Sequence, residues 1–157
     1  MMYGIAKAVN PIRSYVRVQD ENNQGSSYTY ILRYSTVLEI VGTDISYLDS
    51  ATDGASFIIN TPGVYIATMM PASQDYATIV KNVTLAEGST FLSAMPWEKI
   101  IAPITFGYDL AGSNYPYPTF MSTTTAVFVA NIGDVIKPYT AAVGSGANGQ
   151  FSIMRLS

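Results

Sequence analysis

Histidine and cysteine are both missing from the 157 residues. Without histidine the chain lacks the usual general base, the Ser-His-acid triad and the commonest zinc ligand. Without cysteine it has no thiolate nucleophile, no iron–sulfur ligation and no disulfide, so the fold stands without cross-links and suits synthesis in a reducing cytoplasm. Charge is scarce as well. Only 12% of residues are Asp, Glu, Lys or Arg, where a globular chain usually carries about a quarter. The eight Lys and Arg are scattered and the net charge is −3. No cluster can neutralise several phosphates together, which leaves nucleic-acid binding without a footing. Apolar runs are short and interrupted, so no membrane span is expected, and the opening residues lack the apolar core of a signal peptide. Neither a phosphate-cradling Gly-rich loop nor a dinucleotide fingerprint occurs, and no cofactor is expected.

Carboxylates are the remaining catalytic resource, since glycosidases need only a pair. The eleven present sit mostly beside turn residues, as in Asp20-Glu21-Asn22, Asp53-Gly54 and Gly133-Asp134. Asp serves such positions by bonding to its own backbone, which is a structural use. Asp49 and Asp53 could face one calcium ion, but the spacing lacks the alternating ligands and distal Glu of an EF-hand, and a surface turn is the simpler reading. The chain therefore reads as a protein that acts by contact and not as an enzyme.

What is abundant points to β structure. Apolar residues make up 48% of the chain, and Ser, Thr and Tyr number 15, 15 and 12. Tyr, Val, Ile, Thr and Phe fit a pleated, half-buried surface. Gly and Pro punctuate the sequence at strand-length intervals, as in a sandwich or barrel. Strands are expected over 14–19, 28–35, 36–42, 55–60, 64–70, 76–83, 100–106, 123–130, 135–139 and 151–156. Thr61-Pro62-Gly63 reads as a tight turn joining 55–60 to 64–70 in a hairpin. Residues 84–90 read as a turn, a short helical turn is expected near 91–97, and Trp97 is expected to plug a core edge. Residues 1–13 show no strand pattern and read as an extended arm or a loose terminus.

Aromatic residues are the strongest contact candidates. Phe106, Tyr108, Tyr115, Tyr117 and Phe120 crowd one Gly- and Pro-rich stretch. Stiff exposed rings anchor interfaces or stack on sugars, whereas a loop folded over the sandwich end would bury its own rings.

Several short motifs occur in a familiar order: Ser56-Phe57 leading to Pro62-Gly63-Val64-Tyr65, then Ile79-Val80-Lys81-Asn82, Val127-Phe128-Val129, Gly133-Asp134-Val135-Ile136 and a closing Phe151-Ser152-Ile153-Met154-Arg155-Leu156. This order resembles the jelly rolls of tumour necrosis factor and the complement globular heads over residues 36–157. The stretch Gly133-Asp134-Val135-Ile136-Lys137-Pro138 with the loop after it is similar to decoration and fibre-tip modules of tailed-phage virions. The resemblance implies an all-β, antiparallel jelly-roll sandwich with an N-terminal extended arm, divided into 1–35 (arm and leading strands) and 36–157 (jelly roll). It also implies a homotrimer on a virion, made in the host cytoplasm and displayed on the capsid surface. The expectation is a capsid decoration (cement) protein that stabilises a phage head, with the major capsid protein as partner. Arg13, Tyr15 and Arg17 are the expected capsid contacts; Tyr108, Tyr115, Tyr117, Phe120 and Phe151 are the expected trimer contacts. The alternatives are a tail-fibre receptor-binding tip that recognises host glycan, and a secreted cytokine-type ligand. The family's receptor and calcium residues have no counterpart here, so no ligand or metal site is carried over.

Overall fold

The computed structural model describes residues 14–25, 29–71, 76–106, 123–141 and 149–157. Among them are ten strands: β1 (Tyr15–Gln24), β2 (Leu32–Val41), β3 (Ile45–Ser50), β4 (Gly54–Ile59), β5 (Gly63–Met70), β6 (Tyr76–Lys81), β7 (Thr105–Phe106), β8 (Thr124–Ala130), β9 (Val135–Thr140) and β10 (Gln150–Arg155). They form two antiparallel sheets, ordered β2-β1-β10-β5-β8 and β3-β4-β9-β6-β7.

Strand alternation builds the core between the sheets, because successive side chains point to opposite faces. β5 sends Tyr65, Ala67 and Met69 inward, β1 sends Val16 and Val18, and β10 sends Phe151 and Ile153. They meet Phe57, Ile59, Ile79 and Ile136 of the second sheet in one cluster. Phe57 and Phe151 stack at 4.4 Å between ring centroids, tying the two sheets together at the centre.

The second sheet is covered on its other face too. Val80, next to Ile79 and therefore opposite to it, joins Ile31, Val83, Met95 and Tyr139 in a smaller cluster. This double cover explains why β6 and β9 are buried almost without alternation. Part of the cover is a one-turn helix, α1 (Leu85–Gly88), started by a capping box in which Thr84 and Glu87 satisfy each other's backbone N–H. Two 3₁₀ turns follow, Leu92–Ala94 and Trp97–Lys99.

The jelly-roll sandwich matches the sequence expectation, but its wiring departs from it. Residues 55–60 and 64–70 do not form a hairpin: β4 lies in the second sheet and β5 in the first, so Thr61-Pro62-Gly63 crosses between layers. The reason lies at the C-terminus. Leu156 donates to the Val64 carbonyl and Val64 donates to Ser157, while β5 pairs along its length with β10 and β8. A side chain at Gly63 would collide with the Ser157 carbonyl oxygen. The Asn131–Asp134 turn crosses between layers in the same way, from β8 to β9.

Where two strands were expected over 28–42, the described residues 29–42 contain one, β2. β1 and β2 are hydrogen-bonded into the first sheet, so a division at residue 35 cuts through β2 and separates no structural unit. β3 was not expected, and in 100–106 only Thr105–Phe106 is strand, with a single bridge from Ile100 to Val80. Asp49 and Asp53 do not share a site, since Asp49 meets Arg33 at 2.9 Å and Asp53 meets Lys137 at 2.5 Å. The expected arm, 1–13, lies outside the described residues.

Candidate assembly face

The first sheet turns its alternate side chains away from the core, and its register decides which of them adjoin. Val41 pairs with Tyr15, Tyr15 with Met154, Met154 with Ile66, and Ile66 with Val127. All five strands thus contribute one apolar residue to a single row across the sheet. The surface continues beside it, where Val64 pairs with Val129 and Leu156 bonds to the Val64 backbone. Val127 is 63% exposed and Val129 67%. A solvent-facing side of an antiparallel sheet normally carries polar residues, so an apolar row here marks a contact surface.

The next row is polar: Glu39, Arg17, Ser152, Thr68 and Thr125. Thr68 and Thr125 share a hydroxyl–hydroxyl hydrogen bond of 3.1 Å. Arg17 donates from Nη2 to Gln150 Oε1 at 3.0 Å. Beside Arg17 opens a recess of about 190 Å³ lined by Thr68, Met70, Thr123, Gln150, Phe151 and Ser152. Five ion pairs, Arg33–Asp49, Lys81–Asp134, Lys99–Glu87, Lys137–Asp53 and Arg155–Asp44, engage the other described cations. Among the described residues, Arg17 is the cation that no carboxylate neutralises.

A second apolar surface lies where the cover of the second sheet meets β6. Tyr76, Phe91, Leu92, Trp97 and Ile104 line an open cleft of about 400 Å³. Trp97 does not plug a core edge; at 73% exposure it stands in solvent at the rim of this cleft, with Phe91 64% exposed beside it. Among the described residues no group of three acidic side chains converges as a metal site would require.

The residues expected to act divide three ways. Arg13, Tyr108, Tyr115, Tyr117 and Phe120 lie outside the described residues. Tyr15 and Arg17 sit on a central strand of the first sheet and not on an arm, and both point to the assembly face. Phe151 is wholly buried against Phe57 in the protomer core, so it cannot reach a second copy. Missed from the sequence were Val41, Ile66, Val127, Val129 and Met154. Their signal was present in β5 (GVYIATMM) and β8 (TTAVFVA), where both alternate sets are largely apolar. Such a strand expects cover on both faces.

The sequence matches no protein-family profile and no curated protein. Its structure is similar to solved structures of other chains. The globular domain of zebrafish complement 1qA aligns with a TM-score of 0.54 at 12% identity, over 92% of this chain and 98% of that one. Murine APRIL at pH 5.0 aligns with a TM-score of 0.52 at 8% identity, and at pH 8.0 with 0.50 at 10%. Each APRIL alignment covers 91% of this chain and 98% of the other. At these identities the likeness establishes the fold, a jelly roll of the tumour necrosis factor and complement-head type.

Proposed function

We propose that the chain is a non-enzymatic contact protein that assembles as a homotrimer through the outer face of its first sheet, and that it decorates a phage capsid. The apolar row Val41–Tyr15–Met154–Ile66–Val127 carries the reading. Burying it removes apolar surface from water, the dominant favourable term in association. The low overall charge supports a surface that spends its life against protein. Threefold symmetry rests on the resemblance to the tumour necrosis factor and complement heads. The virion setting, the major capsid protein as partner and the capsid-surface location rest on the likeness of residues 133–138 to phage decoration modules. With Tyr15 and Arg17 on the trimer face, capsid contact falls to residues elsewhere, Arg13 among them.

Light scattering during size exclusion at micromolar concentration tests the trimer, and a monomer there refutes it. Binding of the purified protein to undecorated phage heads, followed by imaging of labelled particles, tests decoration. The exposed Trp97 and Phe91 rings at the open cleft favour one second reading, a fibre tip that stacks rings on host glycan. A glycan array that returns hits lost in Trp97→Ala selects that reading over decoration.

A further inference from the structure

Closing a ring of three copies requires a head-to-tail interface, in which two different patches of the same chain meet. The first sheet offers two such patches. One is its face, with the apolar row and the recess beside Arg17. The other is the edge strand β2, where Val37, Leu38 and Ile40 are 47%, 42% and 51% exposed around the exposed Glu39. Glu39 ends the polar row of the face on the β2 edge, so the edge brings a carboxylate and the same row, one strand further in, brings the cation Arg17.

The recess has a polar side that suits an anion. Arg17, Thr68, Thr123, Gln150 and Ser152 line it together with the apolar Met70 and Phe151. The single bond to Gln150 uses one of the five N–H donors of the guanidinium. If the surrounding apolar surface is covered, Arg17 leaves water, and a buried guanidinium without an anion is strongly unfavourable. The donor of that anion must be a carboxylate not already spoken for. Asp44, Asp49, Asp53, Glu87 and Asp134 are each held by a cation of their own chain. Asp20 accepts from the Thr36 hydroxyl at 2.7 Å and from the Gln19 amide. Glu39 and Glu98 have no such partner among the described residues, and of the two only Glu39 stands on the first sheet, on its exposed edge strand. It is also the direct cross-strand neighbour of Arg17 within one chain, yet the two form no ion pair: Arg17 turns to Gln150 instead.

We infer that the Arg17 guanidinium of one copy binds the Glu39 carboxylate of the next copy in the recess. Resting on the trimer reading, the inference adds the residue that each copy lends its neighbour and gives the ring its direction. The pair sets the register of edge on face, and the apolar residues around it exclude water.

Sedimentation of wild type, Arg17→Glu, Glu39→Arg and the double reversal over a range of concentrations tests it, with salt as a second variable. Each single reversal is expected to weaken assembly about a hundredfold or more, and the double reversal to restore most of it. Thermal melting below the assembly concentration separates the two pairings open to these residues. Pairing between copies leaves the monomer melting points alike, whereas melting points that carry the whole effect assign the pair to one chain and overturn the inference. A trimer indifferent to Arg17→Glu, or one not restored by the double reversal, also overturns it while leaving the trimer standing. A monomeric wild type removes both.

Discussion

Val127 offers the cleanest test of the assembly face. It is 63% exposed in the protomer and ends the apolar row on the edge strand β8. Replacing it with Asp removes nothing from the core. As an exposed edge-strand substitution it should move protomer stability by about 1 kcal/mol at most. In the assembled state the two effects add. The lost burial of an exposed valine side chain amounts to about 1 kcal/mol, and a carboxylate desolvated without a partner costs at least about 2 kcal/mol. Three copies bring the penalty to about 9 kcal/mol, or about a millionfold in the trimer dissociation constant. Sedimentation velocity at micromolar concentration should show a trimer for wild type and for Val127→Ile, and a monomer with unchanged circular dichroism for Val127→Asp. A Val127→Asp trimer that dissociates like wild type would show that the outer face of the first sheet is not the interface.

Three further outcomes concern the protomer. Phe151→Ala should lower protomer stability by about 3–5 kcal/mol in denaturant titration, because the ring fills the centre of the core; a change confined to concentration-dependent assembly would contradict that placement. The Lys137 side chain is 4% exposed and its ammonium meets Asp53, whose side chain is 41% exposed. Asp53→Ala should therefore cost about 2–3 kcal/mol in chemical unfolding, less than a fully buried pair because water still reaches the site, and adding Lys137→Met should recover most of the loss. The two close contacts from Lys99, helped by the Thr84 backbone N–H, hold the Glu87 carboxyl down at about 2 against a usual 4.5. Because the folded-state value is depressed, this contribution is complete above pH 4.5 and fades as the pH falls toward 2. Fluorescence of Trp97, the sole tryptophan, should report that acid transition beside Lys99, and Glu87→Gln should flatten it.

Much of the architecture was legible in the residues. The expected strands fall within a residue or two of β4, β5, β6, β8, β9 and β10, whereas β1 runs on to Gln24 where the expectation ended at residue 19. The capping box at Thr84 and Glu87 was equally present in the sequence, and a reading of 84–90 as a plain turn overlooked it. Other features carried no local signal. Thr61-Pro62-Gly63 has the chemistry of a hairpin turn, and turn chemistry does not say whether the next strand returns to the same sheet or crosses to the other. That choice was made by the C-terminal residues, which bond to Val64 from almost a hundred positions away. Phe151 shows the same limit: an aromatic on an alternating strand faces either the core or a partner. A shift of one residue in register would exchange the two.

By itself, the sequence determined the chemical class of this protein. No histidine and no cysteine means no thiolate or imidazole chemistry, and regular alternation between Gly and Pro breaks means β-sheets with a core between them. These properties are local, set by what each side chain can do and by the two-residue period of a strand. Only the tertiary structure decided which residues share a face. It gathered Val41, Tyr15, Met154, Ile66 and Val127 into one row from five strands that span most of the chain, and set Arg17 beside that row with its guanidinium turned to Gln150 and not to Glu39. Strand order and register are long-range pairings, fixed jointly by every hydrogen bond in the sheet, and no short window of sequence contains them.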